Sequence, residues 1–127
     1  MICDKIIKSM VLCKFLHFKE DIIMEQTFNL STNLRAVDNL KSEILSEVAR
    51  LYQGLSDYDS PEIYERVLGS VATIVAMDYI LARRIGLDFQ DVDRKIAELT
   101  TIAEENNHEL EIAFSDMSEL RSFIRKR

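Results

Sequence analysis

One stretch, VLGSVATIVAMDYILARRI (residues 67–85), restricts the fold of this chain more than any other part of it. Between Arg66 and Arg83 it carries a single formal charge, Asp78. Apolar side chains at Val67, Val71, Ile74, Val75, Met77, Ile80 and Leu81 cover most of a helical wheel, the pattern of a helix buried on several sides. Small residues at Gly69, Ser70, Ala72, Thr73 and Ala76 fall on the remaining arc, where a second backbone can come close. The uncharged run is shorter than the ~20 residues that span a bilayer, and Asp78 interrupts it. The stretch therefore predicts the central helix of a soluble bundle.

The rest of the chain agrees with a bundle. Its 127 residues suit one domain, and three glycines, one proline and a 30% charged fraction suit helices joined by short loops. A formal net charge of −6 argues against general binding to nucleic acid. Arg125-Lys126-Arg127 is the only basic cluster and reads as the solvated end of a helix.

Residues 1–23 differ in character. They hold both cysteines, Cys3 and Cys13, and one of the two histidines, His17. Lys14 breaks the apolar run that a secretory signal needs, and bulky Leu12 before Cys13 does not suit a lipoprotein signal. The spacing of Cys3, Cys13 and His17 lacks the pattern of a zinc site. Lys19-Glu20-Asp21 can be encoded by the ribosome-binding consensus of bacterial messages, with Ile22-Ile23 as spacer before Met24. The expectation is a natural start at Met24 and a leader, 1–23, translated by mis-annotation. The alternative is a real amphipathic N-terminal helix packed on the bundle. Residues 24–127 would then form the domain, free of cysteine, as in a reducing cytoplasm.

From Met24 onward, Asn29 or Ser31 can cap a helix from about Thr32 to Gln53. Leu34, Val37, Leu40, Ile44, Val48 and Leu51 form its apolar stripe, and Gly54 reads as its stop. Ser60, Pro61 and Glu62 signal a restart after an acidic loop, with Gly86 just past the end of that second helix. Asp88 with Asp91 begins a third, from about Phe89 to Glu105. Leu110, Ile112 and Phe114 alternate and predict an extended link, after which Asp116 and Glu119 form a capping box for a short last helix. The expected architecture is all-α: an antiparallel bundle of three to four helices. One member is so apolar that a second copy must complete the core, giving at least a homodimer, with a tetramer left open.

Catalytic signals are sparse. His108 lies in a polar loop and reads as a surface residue, no serine or threonine has a histidine at a readable spacing, and no glycine-rich phosphate loop is present. What remains is carboxylates on helices: Glu43 and Glu47 one turn apart, and Asp78 in apolar surroundings that call for a cation, a hydrogen-bond network or a metal.

In order, the chain presents a long helix with SEVARLYQGL, an acidic loop, GSVATIVAMDYILARRIGLD, FQDVDRKI and a closing DMSELRSFIRKR. This order resembles the MazG-like all-α nucleoside-triphosphate pyrophosphohydrolases, above all the short stand-alone members, over about Phe28 to Arg127. The resemblance implies Mg²⁺ held by an ExxE on the first long helix and an ExxD on the next. Hard oxygen ligands of this kind suit that ion, which activates water and neutralises the triphosphate. Here the ExxE positions fall on Glu47 and Arg50, and the ExxD positions on Ser70 and Thr73. Three of the four carboxylates are gone. An arginine ~5 Å from a divalent ion costs roughly 6 kcal/mol at an effective dielectric of about 20.

Three readings follow. In the first, the fold persists as a non-catalytic oligomer with an eroded site at Arg50, Ser70 and Thr73. Arg50 then pairs with Glu47 or contacts the phosphate of a nucleotide, and no cofactor is expected. In the second, a Mg²⁺-dependent pyrophosphohydrolase works through relocated ligands, Glu43, Glu47 and Asp78. In the third, the chain is a helical interaction module. All three place it in the cytoplasm, with no nucleic-acid or membrane partner.

Overall fold

The computed structural model describes the backbone over residues 2–56 and 60–127, and side chains at Lys19, over 29–56 and over 60–127. The side-chain roles weighed for Cys3, Cys13 and His17 lie outside the described residues, as does part of the acidic loop, 57–59. The described residues form five helices and no strand: α1 (Ile2–Ser56), α2 (Ile63–Arg84), α3 (Phe89–Glu105), α4 (Glu109–Phe114) and α5 (Asp116–Arg125). The chain divides into two compact units, Met1–Asn39 and Leu40–Arg127. The first is helical throughout its described backbone, and the second holds the last part of α1 together with α2 to α5.

Helix α1 does not begin at Thr32. It runs from Ile2, and neither Asn29 nor Ser31 caps a start. No glycine or proline precedes Gly54, so nothing in the local sequence stops the helix earlier. Nor does Gly54 end it. That residue is buried within α1, and a Cβ there would lie 3.5 Å from Val67 Cγ2 of α2. A methyl there would meet α2 at ordinary contact distance, so the glycine marks neither a left-handed turn nor a crossing that only glycine admits.

Helix α2 starts at Ile63, with Glu62 and not Ser60 at its N-cap position and no side-chain cap there, so the restart lies two residues beyond Ser60-Pro61. The Ser60 hydroxyl accepts from the Glu62 N–H at 3.4 Å and its carbonyl from the Ile63 N–H at 3.0 Å, so Pro61 and Glu62 form a turn before regular helix. At the other end Gly86 takes φ 95°, and the Leu87 N–H bonds back to the Ala82 carbonyl at 3.0 Å. Only glycine adopts that φ without strain. Asp91 then accepts from the Asp88 N–H at 3.2 Å, which fixes the start of α3 as the Asp88/Asp91 pair predicts.

The expected extended link is instead α4. Leu110, Ile112 and Phe114 are all exposed, so their alternation does not record a buried sheet face; over so few residues the two periods are hard to tell apart. His108, exposed as expected, caps α4 by accepting the Leu110 N–H on Nδ1 at 3.2 Å. The Asp116/Glu119 box at α5 is replaced by Glu111, whose Oε2 accepts the Met117 and Ser118 N–H groups at 2.9 and 3.0 Å. Its Oε1 accepts the Ser118 hydroxyl at 2.7 Å.

Packing is densest between α3 and α5. Ile124 of α5 and Thr100 of α3 are buried, and Arg121 crosses to an ion pair with Glu104 and to the Thr101 hydroxyl at 3.2 Å. The tail is not purely solvated. Arg127 lies 3.7 Å from the Asp93 carboxylate and 5.1 Å over the Phe123 ring, and Tyr79 of α2 donates its hydroxyl proton to the same Asp93.

Helix α2 departs from its sequence reading in one respect. Leu68, Val71, Val75 and Ile80 are exposed, and among the described residues no large side chain is fully buried. Among the described residues, much of the apolar face of α2 that the sequence marks for burial stays exposed, and the buried positions of the helix are Ser70 and Ala82. Asp78 is likewise exposed, so no compensating partner is needed at its carboxylate.

Candidate functional site

Residues 43, 47 and 50 sit at i, i+4 and i+7 on α1, which puts them along one face of that helix. Opposite, Ser70 and Thr73 are three residues apart on α2 and share a face in the same way. Helical periodicity alone therefore aligns the three residues of α1 and the two of α2; the fold then brings the two sets together. Ser70 Oγ donates to Glu47 Oε1 at 2.7 Å, and Arg50 Nη1 donates to Glu47 Oε2 at 2.8 Å. Each carboxylate oxygen thus has its own donor.

The environments of the two ions differ. The Glu47 side chain keeps 12% of its accessible surface, whereas that of Arg50 keeps 71%. The hydrogen bond from Ser70, followed by that from Arg50 and by its charge, holds the Glu47 carboxyl below the ordinary value of 4.5, against the opposing effect of desolvation. Thr73 is satisfied within its own helix, its Oγ1 donating to the Gly69 carbonyl at 2.8 Å.

Two clefts open on this contact. The larger, about 510 Å³, is lined by Ser42, Glu43, Ser46, Glu47, Arg50, Thr73 and Met77. The smaller, about 280 Å³, is lined by Gln53, Glu65, Arg66, Gly69 and Ser70 together with Glu47 and Arg50. Of the carboxylates considered as relocated ligands, Glu43 and Glu47 share the larger cleft, while Asp78 does not line it. Gln53, Glu65 and Arg66 are not among the site candidates read from the sequence, because their convergence depends on how α1 meets α2, which no spacing within either helix records.

Residues 30–117 match the sequence pattern of the MazG-like family. The chain belongs to that family. The matched span stops short of the SELRSFIRKR tail, and no curated protein or solved structure gives a significant match. Members of the MazG-like superfamily are expected to hold Mg²⁺ at the positions of Glu47, Arg50, Ser70 and Thr73, and the side chains here can be tested against that ion. Mg²⁺ needs several hard oxygen ligands around it in octahedral array. This chain offers one carboxylate, already bonded at both oxygens, two neutral hydroxyls that each donate to a protein oxygen, and a guanidinium that has no lone pair to give. Among the described residues no group of three or more His, Cys, Asp or Glu side chains is placed to hold a metal. The donor set does not fit the ion.

Proposed function

We propose that this MazG-like chain is a non-catalytic, oligomeric homologue of the nucleoside-triphosphate pyrophosphohydrolases, in which the contact between α1 and α2 has passed from catalysis to structure. The observation that carries the reading is the Glu47 carboxylate, bonded on one side by Ser70 and on the other by Arg50, two residues that stand where metal ligands are expected. An enzyme of this type needs those oxygens free for the ion.

The exposed apolar side chains of α2, with Leu45 and Tyr52 of α1, support a second copy as the partner that completes the core. Nucleotide is the small ligand to test, since the exposed guanidinium of Arg50 has donors that Glu47 does not engage. Among the described residues no helix is long and apolar enough to cross a membrane.

The test is release of pyrophosphate from a panel of NTPs and dNTPs with Mg²⁺ or Mn²⁺. The reading expects no turnover, and a mass in solution at least twice that of the chain. Metal-dependent turnover that disappears in Glu47→Gln would favour the other reading, in which Glu43 and Glu47 act from the cleft they share.

A further inference from the structure

The structure assigns Arg50 the role of a tethered cation: its guanidinium supplies from within the chain the positive charge that the acidic face of α1 would otherwise take from a divalent ion. The inference deepens the non-catalytic reading and rests on it for the identity of the site. Its ground is the mismatch between the donor set and Mg²⁺, together with three features of the geometry.

First, the carboxylate that survives is not idle. Glu47 bridges two helices, accepting a hydrogen bond from the Ser70 hydroxyl of α2 at 2.7 Å while Arg50, one turn along α1, donates to its other oxygen at 2.8 Å. A carboxylate held between two helices in this way, with 12% of its surface left, favours a balancing charge close at hand. Second, that charge is covalently attached and always present, so the contact does not depend on the supply of an ion. Third, position 50 continues the row of Glu43 and Glu47 along one face of α1. With glutamate at position 50, three carboxylates would stand at i, i+4 and i+7 on one helix face, beside the Thr73 hydroxyl in the 510 Å³ cleft. Such a set does suit a hard cation. A single substitution should then move the site from internal to external charge balance.

The experiment uses the full chain with MgCl₂, MnCl₂ or CaCl₂, reading the melting temperature and the side-chain carboxyl ¹³C resonance of Glu47. The wild type is expected to respond in neither. Arg50→Glu is expected to melt lower without divalent ion and to recover by roughly 3–6 °C when it is added, the size of shift that a gain near 1 kcal/mol gives in a small domain. A saturable response of the wild type that Glu47→Gln removes would overturn the assignment, as would a folded Arg50→Glu indifferent to all three ions. Should Arg50→Glu fail to fold, Arg50→Gln decides: the Glu47 carboxyl must titrate at higher pH than in the wild type, and an unchanged titration overturns the role. Pyrophosphate release measured on the same samples separates the two levels. Turnover by the wild type without divalent ion would sink the non-catalytic reading and leave the tethered cation standing, whereas binding of the ion sinks the tethered cation itself.

Discussion

Glu47 and Glu111 occupy different parts of the Leu40–Arg127 unit, yet their surroundings are nearly the same. Each accepts a serine hydroxyl at 2.7 Å on Oε1, each takes further N–H donors on Oε2, and each is held below the ordinary carboxylate value chiefly by that serine. Glu111 does this to cap α5, a purely structural task. Glu47 does it at a position where a metal ligand is expected. A carboxylate kept for catalysis presents free oxygens to its ion; one kept for structure is saturated by the chain. On the non-catalytic reading proposed above, Glu47 belongs with Glu111. What separates the two is reach: Glu111 bonds residues six and seven positions away, whereas Glu47 joins α1 to α2 across 23.

The comparison can be broken at several points, and the largest expected effect lies on the Glu111 side. If the α3–α5 pack that Glu111 caps is the firmest part of the unit, Ile124→Ala should cost roughly 2–4 kcal/mol in chemical denaturation, the range for emptying a buried aliphatic site. The turn that joins α2 to α3 comes next. Gly86→Ala forces φ 95° on a residue with a Cβ and should cost about 1 kcal/mol by the same measurement. On the Glu47 side, Gly54→Ala should gain about 0.5–1 kcal/mol. An added methyl meets Val67 at ordinary contact distance, and alanine is the better helix former. A loss there would mean that α1 and α2 lie closer than the structure has them.

The smallest effect is the sharpest test of likeness. Both carboxyls are depressed in the folded chain, so their contribution is complete above the ordinary value of 4.5 and is lost as the pH falls through the folded values. Ser70→Ala and Ser118→Ala should each raise the titration point of their own partner, as followed by carboxyl ¹³C NMR, and each should trim the acid stability of the chain. A shift at Glu111 with none at Glu47 would show that the two sites are not alike.

How much of this was legible beforehand depends on whether the signal was local. The Asp88/Asp91 start of α3 and the left-handed Gly86 are short-range features, and each is found where the residues predict it, while the restart read at Ser60-Pro61 lies two residues further on. Good capping residues at Asn29 and Ser31 suggest a start that α1 does not make; helix in the N-terminal residues is the alternative weighed for them, and nothing in the sequence marks its continuity with the next. Helix α4 was missed because a short alternation has two readings. At the site, the pairing of Arg50 with Glu47 follows from a spacing of three on one helix, and the sequence reading weighed it. The Ser70 bond does not follow, because it depends on the approach of two helices at Gly54 and Val67. The exposed face of α2 teaches the reverse: the sequence marks a burial that, among the described residues, much of that face does not have.

Everything turns on whether Glu47 has oxygens to spare for a metal. Titrating Mg²⁺ into the wild-type chain by isothermal calorimetry measures that without reference to any substrate. The account predicts no saturable heat. A stoichiometric binding isotherm, lost in Glu47→Gln, would contradict it.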